Sequence, residues 1–190
     1  MKEAQIISSA RELFGKYGYK RVSVDEIAKN AHVTKKTVYS YFKNKEEILK
    51  YFLNEEIMNM KKIVESIEQE EKDFFMYLHK TICELMKYTE QRNFLRIIIE
   101  ESEVFKNPVI LENVKILDKT ILNYIKEKLE MAEKNNQIEV ENVDVMAFLI
   151  YKMYIALLLE WNEESIKKNE ELFANTIINL LKNGLEKKNK

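Results

Sequence analysis

The sequence predicts an all-α protein of about nine helices, and three observations lead to this fold class. Only 3 of the 190 residues are Gly and 1 is Pro, which leaves little material for tight turns, hairpins or a glycine-rich phosphate loop. Lys, Glu, Leu and Met are abundant, and all four favour helices. Apolar residues recur at the spacing of one helix face along most of the chain. With 46% hydrophobic residues, the chain can bury a core as one domain or two small ones.

The first 42 residues predict three helices. An apolar stripe from Ile6 to Tyr17 indicates a first helix over 2–17, and Gly18 stands in the usual position after a helix C-terminus. Ser23 and Glu26 have the spacing of a capping box, which opens a second, short helix. Three residues later, Thr34 can cap a third helix that runs from residue 35 to about 42. Two short helices joined by so brief a turn predict a helix-turn-helix.

The third helix has two chemically different sides. At 100° per residue, we expect Val38, Tyr41 and Phe42 to pack against the first two helices. The opposite side is polar, hydrogen-bonding and cationic, with Lys36, Tyr39 and Ser40 at its centre and Lys35 and Thr37 on its flanks. Such a ridge fits the major groove of DNA, which is about 12 Å wide, although an ordinary solvated helix could carry the same residues.

The rest of the chain continues as helices without a flexible linker. A long helix is predicted from Lys45 to about Ser66, and it follows the third helix directly. Pro108 fits the first turn of a later helix, where its missing N–H costs nothing. The further predicted spans are 72–88, 92–105, 108–134, 143–161 and 170–187.

Charge is distributed unevenly along the chain. Residues 1–50 contain eleven Lys or Arg and six Asp or Glu, whereas residues 51–190 contain twenty and twenty-six. The net charges are therefore +5 and −6. A basic N-terminal part on an acidic remainder is typical of a protein that meets a polyanion at one end.

The single cysteine and the absence of long apolar runs predict a cytoplasmic protein that is not bound to a membrane. Cys83 has no partner for an intrachain disulfide, which fits a reducing compartment. The N-terminus has no apolar run of secretory length. The longest apolar stretch, residues 153–159, is far too short to cross a bilayer.

Residues 5–50 resemble the DNA-binding half of the TetR/AcrR family of transcriptional regulators. The spacing of that family's motif is kept throughout this region. The matching residues are Phe14, Gly18, Ser23, Ile27, Ala28, Ala31, Val33, Thr34, Thr37, Tyr39, Tyr41, Phe42, Lys45 and Leu49. The resemblance implies a helix-turn-helix DNA-binding domain over residues 1–46. It also implies a helical ligand-binding and dimerisation domain over 47–190, and a homodimer, most often a repressor, on a palindromic operator.

The resemblance also assigns residues to DNA, since the family places its third helix in the major groove. Lys45 would contact phosphate from the start of the next helix, and Ser23 would do so from the N-terminus of the second helix. The candidates on the third helix are Thr34, Lys35, Lys36, Thr37, Tyr39, Ser40 and Tyr41.

Two residues depart from the family motif. His32 occupies the turn position that is usually Gly, and it would have to adopt a positive φ if the turn requires one. Lys36 replaces a second frequent Gly at the start of the third helix and adds a cation on the side facing the groove. The operator sequences of other family members therefore do not predict the operator sequence of this chain.

In the larger domain, the family binds small apolar or amphipathic effectors in a cavity, and no cofactor or metal is expected. Any single Met or aromatic residue at helical spacing is more often core than pocket. Glu84, Glu100 or Glu101 could balance a cationic ligand, or simply be solvated. The expected lining residues are Phe75, Cys83, Met86, Phe94, Tyr124 and Tyr151.

The last two helices correspond to the pair through which the family dimerises, with intramolecular packing as the alternative. The residues expected at this interface are Val145, Phe148, Leu149, Lys152, Ala156, Phe173, Ile177, Leu180 and Leu181.

Two other classes of function remain open. An enzyme is disfavoured because the chain has 2 His and 1 Cys, without an HExxH motif or a Cys/His cluster in the sequence. A helical adaptor that binds a protein partner instead of DNA would account for the acidic part of the chain. Loss of DNA binding when Lys36 and Tyr39 are replaced would argue against the adaptor.

Overall fold

The computed structural model of the chain describes residues 2–90, 97–98, 101, 108–157 and 169–185, and these residues include no strand. The all-α prediction is therefore confirmed. Eight helices have described bounds: α1 (Lys2–Tyr17), α2 (Val24–Asn30), α3 (Lys35–Tyr41), α4 (Lys45–Glu70), α5 (Phe74–Glu90), α6 (Pro108–Lys134), α7 (Val143–Ile155) and α8 (Glu170–Leu185).

The helix bounds follow the local signals in the sequence. α1 and α6 occupy their predicted spans. α4 continues four residues beyond the predicted end, to Glu70. α5 begins two residues later than predicted, because the Asp73 carboxylate accepts a hydrogen bond from the backbone N–H of Met76 at 2.8 Å and so caps the helix. Of the predicted helix over 92–105, only residues 97, 98 and 101 lie within the described part, and they are helical.

The chain divides into two compact units. The first contains residues Met1–Met58 and Arg92–Ile116, and the second contains Asn59–Gln91 and Leu117–Lys190. The domain boundary predicted between residues 46 and 47 remains a prediction. None of the described helices is both long and apolar enough to cross a membrane.

The core of the first unit joins α1, α2, α3 and the start of α4. Ile6, Phe14 and Ile27 are fully buried, as are Ile48 and Phe52. The rings of Phe14 and Phe52 meet edge to face with centroids 6.1 Å apart, a favoured aromatic arrangement. Tyr17, which the sequence places at the end of the α1 stripe, is instead 49% exposed, so the buried face of α1 ends at Phe14.

An ion pair adds a polar connection between α1 and α4. The Arg11 guanidinium binds Glu56 at 3.0 Å and Glu55 at 2.7 Å, and it lies 5.1 Å from the centre of the Phe52 ring. The Glu56 side chain is only 1% exposed. A buried carboxylate requires such a partner, so Arg11 helps to fix α4 against α1.

The core of the second unit is built largely by α5 and α8, with contributions from α4, α6 and α7. The side chains of Phe173, Ile177 and Leu181 on α8 are at most 5% exposed and belong to this core. The prediction that these three residues lie at a dimer interface is therefore wrong, because they are buried within their own chain. The amphipathic pattern of α8 indicated a buried face, but this face packs against its own chain.

Candidate nucleic-acid interface

The start of α2 is fixed by the predicted capping box. The Ser23 hydroxyl accepts a hydrogen bond from the backbone N–H of Glu26 at 3.2 Å, and the Glu26 carboxylate accepts one from the backbone N–H of Ser23 at 2.7 Å. The Ser23 hydroxyl also bonds the Glu26 carboxylate, and the hydrogen bonds from Ser23 lower the pKa of Glu26. Ser23 is exposed at this helix end, where anions are favoured.

The turn between α2 and α3 requires the positive φ that the sequence analysis anticipated at His32. Its φ is 52°. Its backbone N–H bonds the carbonyl of Lys29 at 3.2 Å, while that of Val33 bonds the carbonyl of Ala28 at 2.9 Å. This pair of bonds is the Schellman arrangement, in which the residue after the helix is left-handed. His32 thus occupies a conformation that usually selects Gly.

The residues at the start and end of α3 fix its orientation on the domain. The Thr34 hydroxyl caps α3 by accepting a hydrogen bond from the backbone N–H of Thr37 at 3.1 Å. Val38 is 1% exposed and Phe42 is 6% exposed, so these two side chains attach the helix to its scaffold. Seven residues give α3 a length of about 10 Å, short enough to lie within a major groove.

The outer side of α3 is polar and exposed, as predicted. Lys35, Lys36 and Ser40 are exposed, Thr37 is half-buried, and Tyr39 is 47% exposed. Tyr41 is 45% exposed, so the expectation that it packs against α1 and α2 is wrong. α3 ends at Tyr41, and the chain turns extended at Phe42, whose ring takes the buried position. Tyr41 is therefore left on the accessible flank of the helix.

Several polar side chains of this surface already have partners within the domain, including the hydroxyls of Thr34 and Thr37, which lie 2.8 Å apart. The Lys35 ammonium lies 2.9 Å from the Asp25 carboxylate on α2, and this hydrogen-bonded pair raises the pKa of Lys35. The Ser40 hydroxyl donates to the backbone carbonyl of Thr37 at 2.7 Å. Because the Lys35 pair is exposed, it is weak and can exchange for a contact with a polyanion.

Lys45 occupies a more enclosed place than a typical phosphate-binding lysine. Its ammonium donates to the backbone carbonyls of Tyr19 and Val22, both at 2.8 Å, and it lies 4.2 Å from the centre of the Tyr19 ring. Burial lowers the pKa of Lys45, and the nearby Glu101 and Glu26 oppose this effect. An ammonium has three donors, so the predicted phosphate contact would use the third.

A carboxylate from a distant part of the sequence supports the turn between α1 and α2. Glu101 is 8% exposed, and its carboxylate accepts a hydrogen bond from the backbone N–H of Tyr19 at 3.0 Å. It also lies 3.4 Å from the backbone nitrogen of Lys20. From the sequence alone, Glu101 could balance a cationic ligand or be solvated, but the structure places it on this turn instead. No local signal could have indicated the contact, because 82 residues separate Glu101 from Tyr19.

Most of the residues expected to line an effector pocket lie in or against the core of the second unit. Phe75, Cys83 and Met86 are buried there, and Tyr124 packs against the same core. Tyr151 is 5% exposed, and its hydroxyl donates to Asp118 at 2.5 Å. Phe94 and Glu100 lie outside the described residues. Glu84 is exposed and pairs with Lys87 at 2.8 Å. The assignment of these residues to a pocket remains a prediction.

The N-terminal part of the chain matches a known protein family. Residues 6–52, which contain the whole helix-turn-helix described above, match the family model described as bacterial regulatory proteins, tetR family. Residues 6–52 are therefore a DNA-binding domain of the TetR family. This assignment agrees with the exposed polar side of α3.

Two relatives that match along most of the chain are regulators. The uncharacterized HTH-type transcriptional regulator YhgD of Bacillus subtilis is 27% identical over 169 residues, covering 89% of this chain and 88% of YhgD. The fatty acid metabolism regulator protein of the same organism is 26% identical over 192 residues, covering 98% and 97%.

A solved structure shows that this chain shares its fold with a known regulator. FadR from Bacillus subtilis, determined in complex with stearoyl-CoA, superposes with a TM-score of 0.77 at 24% identity. The superposition covers 94% of this chain and 97% of FadR. The all-helical architecture of the described residues is therefore also that of FadR.

Proposed function

We propose that the chain is a ligand-responsive repressor that binds a palindromic operator as a homodimer in the cytoplasm. The exposed side of α3 carries this proposal. Lys36 and Tyr39 lie at its centre, exposed and directed away from the buried Val38 and Phe42. Base edges and phosphates in a major groove are the partners that this combination of cation, phenol and hydroxyl groups fits.

The other DNA contacts that we propose surround this centre. Thr34 and Thr37 lie at the N-terminal end of α3, Lys35 and Ser40 on its exposed side, and Tyr41 on its flank. Ser23 and Lys45 would bind phosphates on either side of the groove. Because several of these contacts are to phosphate, affinity for DNA should fall steeply as salt increases.

Exposed apolar residues on the last two described helices support dimerisation. On α7, Val145, Phe148 and Leu149 are each about half exposed, at 54%, 48% and 46%. On α8, Leu172 is 46% exposed and Leu180 is 61% exposed. Apolar side chains at helical spacing that face solvent in one chain are suited to a two-fold interface between copies. A two-fold dimer would place two α3 helices for two half-sites.

The effector that we propose is an acyl-CoA or a related amphipathic acyl compound. The support comes from the relative that regulates fatty acid metabolism, at 26% identity over nearly the whole chain, and from the FadR fold in complex with stearoyl-CoA. The apolar residues Phe75, Met86 and Tyr124 of the second unit are suited to an acyl chain.

α4 provides the physical route for the response. It is one continuous helix from Lys45 to Glu70, so its first turns belong to the first unit and its last turns to the second. Ile48 and Phe52 are buried at the start of this helix, and Arg11 pairs with it. An effector that displaces α4 would therefore displace α3 and change the spacing of the two half-sites. A coupling of about 1–3 kcal/mol would change operator affinity roughly 5- to 150-fold.

Selection from a random DNA pool tests the DNA-binding part of this proposal. The full-length protein should recover a palindrome whose half-sites are separated by about one helical turn of DNA. Recovery of sequences without two-fold symmetry would contradict binding by a two-fold symmetric dimer. No enrichment at all would favour the adaptor alternative.

A second experiment tests the effector class on the recovered operator. Fluorescence anisotropy of the complex is measured with acyl-CoA compounds of increasing chain length, and with free coenzyme A as the matched control. We expect release by an acyl-CoA and none by coenzyme A. Operator affinity unchanged by every chain length would reject the acyl-CoA class and leave the DNA-binding result intact.

A further inference from the structure

Two helices of the second unit bring four donor side chains together. His79 and Cys83 lie one turn apart on α5, and Glu171 and Asn175 lie one turn apart on α8. Nε2 of His79 is 3.1 Å from Oδ1 of Asn175 and 3.4 Å from one carboxylate oxygen of Glu171. Sγ of Cys83 is 3.4 Å from the other carboxylate oxygen of Glu171. One donor atom each from His79, Cys83 and Glu171 lie within 4.8 Å of one another.

The chemistry of this group is that of a transition-metal site. Imidazole nitrogen, thiolate sulfur and carboxylate oxygen are the protein ligands of Zn²⁺, at bond lengths of about 2.0–2.3 Å. Around a tetrahedral ion of this size, ligand atoms lie roughly 3.3–3.7 Å apart. Nε2 of His79 lies 3.4 Å from one carboxylate oxygen of Glu171 and Sγ of Cys83 lies 3.4 Å from the other, so each approach to this side chain falls in the range. With one ligand atom taken from each residue, every pair lies within 4.8 Å, so no pair has to close by more than about 1 Å. Small rotations of the side chains supply this closure.

Hydrogen bonding between the helices is the simpler explanation for the same group, and it describes the metal-free protein. Burial and then the hydrogen bond to Glu171 raise the pKa of the Cys83 thiol to about 12, so the thiol is protonated and donates to that carboxylate. Hydrogen bonding alone, however, does not require that one accessible carboxylate face both a thiol and an imidazole. The Glu171 side chain is 67% exposed and the His79 side chain 16%, which gives an ion a path from solvent to the buried sulfur.

We propose that His79, Cys83 and Glu171 form a binding site for a zinc-like divalent cation. The fourth position falls to the amide oxygen of Asn175 or to a water. The cation displaces the Cys83 thiol proton to solvent. The proton on His79 Nε2, which faces the acceptor oxygens of Asn175 and Glu171, moves to Nδ1 by a change of tautomer, so Nε2 can bind the cation and one proton is released in total. Bound in this way, it would connect α5 to α8 across the core of the second unit.

Cobalt provides the direct probe, because Co²⁺ takes the same tetrahedral ligands as Zn²⁺ and absorbs light. Titration of the metal-free, full-length protein with Co²⁺ should produce a thiolate-to-cobalt charge-transfer band that saturates at one equivalent per chain. Added Zn²⁺ should then abolish the band. Absence of the thiolate band, or a stoichiometry that does not depend on Cys83, would overturn the proposal.

Variants assign the ligands. Loss of outer-shell partners alone commonly costs 10–100-fold in metal affinity, so Cys83→Ser, His79→Gln and Glu171→Gln should each weaken Zn²⁺ binding by about 100-fold or more. Glu84→Gln is the matched control, since Glu84 is an exposed carboxylate beside Cys83 on α5 that pairs with Lys87. It should leave Zn²⁺ affinity within about threefold of the unmodified chain.

Folding is checked separately by the helical circular dichroism of each variant without metal. If Cys83→Ser disturbs the core, the less buried His79 and Glu171 variants still decide the question. Equal Zn²⁺ affinity in these two variants and in Glu84→Gln would overturn the site. DNA binding by the unmodified chain is independent of either outcome.

Discussion

At the scale of single residues, two positions of the first unit are governed by backbone conformation. His32 has a φ of 52° and Gly18 has a φ of 80°, both in the left-handed region that ordinary side chains avoid. The first lies in the turn before α3 and the second in the turn after α1, so both help to place the α3 surface. The energetic cost of side chains at these positions can be measured.

Replacement of His32 tests the strain in the turn before α3. A β-branched residue is strongly disfavoured at positive φ, so His32→Val should lower the free energy of unfolding by about 1–2 kcal/mol. His32→Asn should stay within roughly 0.5 kcal/mol, since Asn tolerates this conformation. Urea denaturation of the two variants measures the difference, and equal stability would show that the turn imposes no such constraint.

Gly15 within α1 and Gly18 in the turn after it form a matched pair for a second test. A Cβ on Gly15 would meet nothing within 4 Å, whereas a Cβ on Gly18 would overlap the carboxylate of Glu101. Gly15→Ala should therefore raise the free energy of unfolding by roughly 0.5–1 kcal/mol, because Gly weakens a helix interior. Gly18→Ala should lower it by at least about 1–2 kcal/mol from the positive φ alone. Chemical denaturation measures both variants. A higher free energy of unfolding for Gly18→Ala than for Gly15→Ala would contradict the packing of Glu101 on this turn.

At the scale of helices, the attachment of α4 to α1 combines apolar burial with one buried charge. Phe52 and Ile48 provide the apolar contact, and Arg11 neutralises Glu56. A buried carboxylate without its partner is costly, whereas a neutral side chain in its place is tolerated. The free energies of unfolding of variants at Arg11 and Glu56 therefore show how much stability depends on neutralising the buried charge.

We expect Arg11→Met to lower the free energy of unfolding by about 2–3 kcal/mol, since it takes the guanidinium away from the buried carboxylate of Glu56. The double variant Arg11→Met with Glu56→Gln should recover part of this loss. Thermal and urea unfolding of the single and double variants complete the cycle. Additive losses would mean that the two side chains do not act as a pair.

The helices and the α3 surface were predictable because their signals are local. The capping residues Ser23 and Thr34 mark the starts of α2 and α3 in the sequence, and the structure contains both caps. Non-local partners were not predictable in the same way. The contact of Glu101 with Tyr19 and the approach of Glu171 to Cys83 join residues more than 80 positions apart. Neither residue stands in a local pattern that distinguishes it from a solvated glutamate.

The packing of α8 illustrates the same limit for apolar residues. Periodicity indicated that Phe173 and Ile177 lie on a buried face, and they are buried. Periodicity does not say whether that face meets the same chain or a second copy. The structure assigns these residues to the core, while Leu172 and Leu180 remain accessible on α8.

At the scale of the whole molecule, the proposed dimer makes a prediction about α7. Phe148→Glu places a charge on a side chain that is 48% exposed in one chain, so the fold should be retained while an apolar interface is disrupted. Met131→Glu is the control, since Met131 is 51% exposed on α6 outside the proposed interface. Sedimentation velocity should show a shift from dimer to monomer for the Phe148 variant alone. An unchanged dimer in that variant would remove α7 from the interface.

The central claim is that the exposed side of α3 reads DNA, and operator affinity of matched lysine variants tests it most directly. Lys36 lies at the centre of that side, whereas Lys62 is an exposed lysine on α4 in the second unit. Each variant loses one positive charge, so any difference between them reports position. With an operator recovered from random DNA, we expect Lys36→Ala to weaken specific binding by about 10-fold or more, equivalent to roughly 1–3 kcal/mol, and Lys62→Ala to change it less than about twofold. Equal affinity of the two variants for this operator would show that the exposed side of α3 does not read it.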